Sequence, residues 1–157
     1  MKFKSGCVGL LLFGMCLTSV WAAELQTPDK VKDGLRMLAY VQNDMERKLT
    51  SKTYERLPHE NEEFQEAAAP MLAAVASEPA AFKTKVEVAV KKAQADANAV
   101  SDVSASKDAA KIKTAIDAVA ADLKTLNELF PEELRPVPGQ LGSGPGMGAG
   151  GPPPGLR

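Results

Sequence analysis

The chain has 157 residues, 45% of them hydrophobic, 25% charged and 5% aromatic, with 19 Lys plus Arg against 20 Asp plus Glu. This composition suits one globular domain and excludes a wholly disordered chain. The near-neutral balance gives no electrostatic reason to expect nucleic acid or anionic lipid as a partner. Alanine is plentiful while Val, Ile, Thr and aromatics are thin, so the composition predicts an all-α fold.

The first 22 residues read as a leader. Lys2 and Lys4 precede an uncharged apolar run from Cys7 to Val20, and Val20-Trp21-Ala22 places small residues at −3 and −1 of a cleavage site before Ala23. That is the layout of a secretory signal peptide, and the run is too short to span a bilayer. Its removal takes away both cysteines, Cys7 and Cys16, and the single Trp21. The mature chain then has no thiol for a disulfide or a thiolate metal site. Export without disulfides points to the periplasm, or else to secretion. Losing Lys2 and Lys4 leaves a mildly acidic chain with a net charge of about −3.

The mature part, residues 23–130, carries four helical patterns. The first opens at Thr27-Pro28-Asp29, with Thr27 as N-cap, Pro28 in the first helical position and Asp29 at the positive end of the dipole. Val31, Leu35, Leu38, Met45 and Leu49 form its seam, with Gln42 in the remaining place, and the helix must stop before Pro58. The second pattern runs from Glu60 to Ser77 with Phe64, Ala68, Met71 and Val75 on one stripe, and Pro70 predicts a kink. The third starts at Glu78-Pro79 and reaches Ser104. Phe82, Val86, Ala89 or Val90, Ala93, Ala97 and Val100 line a face of mostly small side chains, which bury little area each. The fourth is capped by Ser106 with Asp108 in its first turn. Its seam is a heptad of Ile112, Ile116, Val119, Leu123, Leu126 and Phe130, with Asp122 and Lys124 outside it and Pro131 closing it.

The connections near residues 56–59, 77–79 and 105–106 are short, and short loops lay consecutive helices side by side. The expected fold is an all-α, antiparallel up-down four-helix bundle; the alternative is a three-helix bundle with the segment after Pro58 as a kinked flap. Residues 131–157 read as a disordered Gly/Pro-rich tail, since residues 139–157 hold eight glycines and four prolines. Its end, residues 151–157, has the composition of a short polyproline II stretch.

Few side chains carry chemistry. Exported four-helix bundles include haem carriers, and the expected architecture resembles that of cytochrome c′ and of the bundles that hold haem non-covalently between a Met early in the first helix and a His late in the last. The likeness stops at the ligands: the mature chain lacks C-x-x-C-H, and although Met37 lies in the first helix, the fourth contains no histidine. His59 is the single histidine, at the mouth of the second helix. With the thioethers of Met45 and Met71 it forms a donor set suited to a soft cation; the plainer reading has a loop histidine and two core-filling methionines. Glu60, Glu62, Glu63 and Glu66 make an acidic patch fit for a hard cation or a basic partner, or simply a helix start favoured by its dipole. Gln42 lines a pocket or sets register if buried, and partial exposure is the commoner outcome at such a position. One lone histidine permits neither a serine triad nor a di-iron site. No phosphate-binding or dinucleotide motif is present.

The expectation is therefore a non-enzymatic, exported helical-bundle binding protein without a cofactor. Its partner is another protein or an envelope component, or a second copy that supplements the thin core. The alternative is a metal or non-covalent haem carrier centred on Met45, His59 and Met71.

Overall fold

The computed structural model describes residues 25–137. The leader assigned to residues 1–22 and most of the glycine- and proline-rich tail lie outside the described residues. Between them the chain is all-helical, with four α-helices: α1 (Pro28–Ser51), α2 (Leu57–Ala74), α3 (Ala80–Ser104) and α4 (Ala109–Glu128). Two 3₁₀ turns, Tyr54–Arg56 and Glu132–Leu134, complete the order. Among the described residues no helix is long and apolar enough to cross a membrane.

Pro28 and Asp29 begin α1 as expected, but the Thr27 hydroxyl does not cap it. It donates instead to the Ala74 carbonyl at 2.8 Å, tying the start of α1 to the end of α2. The helix ends at Ser51, well short of Pro58, because Lys52 turns into the left-handed region at φ 58°. The Lys52 and Thr53 amides then bond back to the Leu49 and Lys48 carbonyls. Glycine usually takes this place, since a Cβ there crowds the carbonyl. The connection thus lies at residues 52–56, ahead of the expected 56–59, and Pro58 sits inside the first turn of α2, where its missing N–H costs nothing. Pro70 leaves α2 unbroken to Ala74. It stands on the exposed side, so the Glu66 carbonyl it leaves unbonded can be hydrated.

α3 occupies its expected span, with Phe82, Val86, Val90, Ala93, Ala97 and Val100 buried. At α4 the cap moves two residues. Asp108, not Ser106, accepts from the Ala110 and Lys111 amides at 3.0 and 3.2 Å. Ser106 accepts from the Asp108 amide and donates to the Val103 carbonyl, shaping the turn before the cap. Lys107 between them takes φ 55°. All six residues of the α4 heptad seam are buried.

The buried stripes meet in one core that includes Leu35, Leu38, Met45, Phe64, Met71, Ile112, Ile116, Leu126 and Phe130. Each of the larger side chains contributes on the order of 1.5–3 kcal/mol of transfer free energy when fully buried. Consecutive helices pack on one another, and α1 also touches α4. Lys48 near the end of α1 meets Glu60 near the start of α2. Asn61 and Gln65 of α2 reach Asn98 and the Gln94 carbonyl of α3. Phe82 at the start of α3 stands edge-on to Phe130 beyond α4, ring centroids 5.5 Å apart. α1 and α2 approach closely at Gly34, where a Cβ would lie 3.0 Å from Met71 Sδ and 3.1 Å from Met71 Cα.

The α1 seam passes through Val41 in place of Gln42, and regular structure continues past Pro131. Val41 is buried in α1, while Gln42 is only half-buried and donates along the helix to Glu46 at 2.6 Å. The apolar residue took the inward place and left the amide in contact with water. Beyond α4, residues 131–137, assigned to the tail by composition, carry the second 3₁₀ turn. That turn packs on α1 and presents Leu134 to the core, and Arg135 Nε donates to the Phe130 carbonyl at 2.9 Å.

Candidate functional site

The three soft donors are not brought together. Met45 is fully buried near the end of α1 and Met71 near the end of α2. The Met71 sulfur packs at Gly34, eleven residues before Met45, or about 16 Å along the helix axis. His59 lies twelve residues before Met71 on α2, about 18 Å along that axis. Its side chain is 64% exposed, and its two ring nitrogens face carboxylates of its own helix: Nδ1 lies 3.7 Å from Glu62 and Nε2 3.2 Å from Glu63. Among the described residues no group of three or more His, Asp or Glu is arranged to hold a metal ion.

The acidic patch divides. Glu62 and Glu66 are exposed and Glu63 half-buried, but Glu60 turns inward and is buried against α1. The cause is helical phase: Glu60 stands three residues after Leu57 and four before Phe64, both fully buried. Its carboxylate meets Lys48 Nζ at 3.4 Å. Burial pushes the Glu60 carboxyl above its ordinary value, partly offset by the Lys48 charge.

A second ionic junction joins α3 and α4. Asp122, expected outside the seam, is buried because it follows Val119 by three residues and precedes Leu126 by four. Lys92 Nζ donates to both its oxygens, at 2.6 and 2.8 Å, and to Asp96 at 3.0 Å. Burial raises the Asp122 carboxyl, while hydrogen bonding to Asp122 and Lys92 lowers that of Asp96. The bonds it donates to the two carboxylates, Asp122 first, hold the Lys92 ammonium above its ordinary value.

Two further polar contacts were not anticipated. Buried Glu78, between α2 and α3, accepts the Gln26 backbone N–H at 2.8 Å, so the segment before α1 is fastened to the far end of α2. Gln65 Nε2 donates to Asn61 Oδ1 at 3.0 Å and to the Gln94 carbonyl at 3.2 Å, while Asn61 donates to Asn98 at 3.1 Å. This amide ladder fixes the register of α2 on α3. On the outer side of α1, Arg47 pairs with Asp44 at 2.9 Å. The Asp44 charge raises the phenol of nearby Tyr40.

Among the described residues no buried side-chain nitrogen or oxygen lacks a hydrogen-bond partner. The buried polar groups in the helix seams find their partners within the fold. No family model, no curated protein and no solved structure matches this chain.

Proposed function

We propose that the chain is an exported, non-enzymatic binding module built as an antiparallel up-down four-helix bundle. In this reading the leader directs it to the periplasm or outside the cell, and its partner is another protein or an envelope component. The observation that carries the reading is the polar closure of the interior: each buried side-chain polar atom among the described residues already has its partner. A ligand entering there would displace satisfied hydrogen bonds or close packing, and both are costly. Recognition then falls to the outer faces, where Glu62, Glu63 and Glu66 on α2 present negative charge to a basic partner.

The test joins two measurements on protein recovered from the producing cell. In-cell crosslinking from sites on the outer faces of α2 and α3 is expected to give one discrete adduct, with this chain or another; finding none counts against the module. An absorption spectrum and metal analysis of the same protein are expected to be those of the bare polypeptide. A Soret band or stoichiometric copper would replace the module with the carrier centred on Met45, His59 and Met71.

A further inference from the structure

Three charged side chains are buried among the described residues, Glu60, Glu78 and Asp122, and all three are carboxylates. Two of them hold helix seams through a single lysine from the facing helix. Glu60 faces Lys48 and Asp44 from α1 and Glu63 from its own helix. Asp122 faces Lys92 and Asp96 from α3. Glu78 is held by a backbone amide, with no cation.

In both ion pairs the cation is the wetter partner. The Lys48 side chain is 24% exposed against 5% for Glu60, and that of Lys92 is 63% exposed against 9% for Asp122. A buried carboxylate keeps its desolvation cost for as long as it is ionised. Once protonated it is a neutral hydrogen-bonding group, and the freed ammonium can turn into water. Neither step strands a charge inside the protein.

We propose that Glu60 and Asp122 are proton-uptake sites that keep the α1–α2 and α3–α4 seams closed as the medium turns mildly acidic. Burial raises both carboxyls, which supports this direction. In the α3–α4 junction burial raises the Asp122 carboxyl, while its hydrogen-bonded neighbours lower that of Asp96 beside Lys92. A carboxyl raised in the folded state contributes its full stability below its unfolded value, and loses it as pH rises through the folded value. Acidification from neutrality therefore strengthens these two seams.

The test compares urea unfolding of the full chain with that of the Glu60→Gln, Asp122→Asn double variant at about pH 7 and about pH 5. The wild-type midpoint is expected to rise relative to the variant's by roughly 0.5 M urea between the two conditions, the scale that relief of buried carboxylates gives at an ordinary denaturant slope. A difference that is the same at both pH values, or that moves the other way, overturns the proposal. Carbon-13 NMR of the two side-chain carboxyls in the wild-type protein decides the matter if the variant fails to fold. Both are expected to titrate above the ordinary carboxyl range, and titration within or below it overturns the proposal.

Discussion

Gly34 is the place where a single methyl group tests the packing of α1 on α2. In an exposed helix, Gly→Ala gains about 1 kcal/mol from reduced backbone entropy and better propensity. Here the new Cβ would sit 3.0 Å from Met71 Sδ, 3.1 Å from Met71 Cα and 3.2 Å from Met71 Cβ, where ordinary contacts are 3.4–4 Å. The thioether can swing aside, but the Met71 Cα belongs to the α2 backbone, so the two helices must separate by a few tenths of an ångström. Overpacking of this kind costs about 1–3 kcal/mol. The balance predicts that Gly34→Ala destabilises the protein by about 1 kcal/mol, lowering Tm by about 4 °C for a domain of this size. Far-ultraviolet circular dichroism melts and urea titrations measure it directly. In a Met71→Ala background, which removes the sulfur, the same substitution is expected to cost less, giving a non-zero coupling energy. Gly34→Ala that stabilises by the full propensity gain would refute the close approach of α1 and α2.

Three other substitutions test separate parts of the fold. Lys48→Met leaves the buried Glu60 carboxylate without its cation and is expected to cost about 2 kcal/mol at neutral pH. Because the folded Glu60 carboxyl is already raised, that loss should shrink as pH falls and Glu60 takes up a proton; urea midpoints at two pH values check this. Asp108→Ala removes the α4 cap and is expected to cost about 1 kcal/mol in thermal unfolding, more than Ser106→Ala. Lys52→Gly relieves a left-handed residue at the end of α1 and is expected to stabilise by up to about 1 kcal/mol.

The parts of the fold legible in the sequence are those where burial follows periodicity alone. The α4 heptad from Ile112 to Phe130 and the α3 face from Phe82 to Val100 are buried as their spacing required. The helix ends were less legible, because local polar groups compete for the same amides. Ser106 and Asp108 both suit an N-cap, and the choice depended on Lys107 adopting a left-handed turn. Thr27 had the right identity and position for a cap but bonded across to α2, a partner 47 residues away that no local pattern reveals. In α1 the seam was expected to pass through Gln42, but Val41, three residues after Leu38 and four before Met45, meets the same helical spacing and is the apolar residue buried there.

The candidate site was harder to read for a related reason: sequence spacing fixes which residues share a helix face, but not which ends of different helices meet. Met45 and Met71 lie on the inner stripes of neighbouring helices, yet the packing of α1 on α2 sets the Met71 sulfur against Gly34 and leaves Met45 more than two turns away. Conversely, Glu60 and Asp122 looked like surface charge because acids usually are. Each nevertheless flanks an apolar seam by the three- and four-residue steps that carry a side chain to its edge, with a lysine opposite. A charged residue three after one core residue and four before the next is thus the signal in this sequence for a group held between helices. The same rule leaves His59, Glu62 and Glu66 on the outer faces, where a partner can reach them.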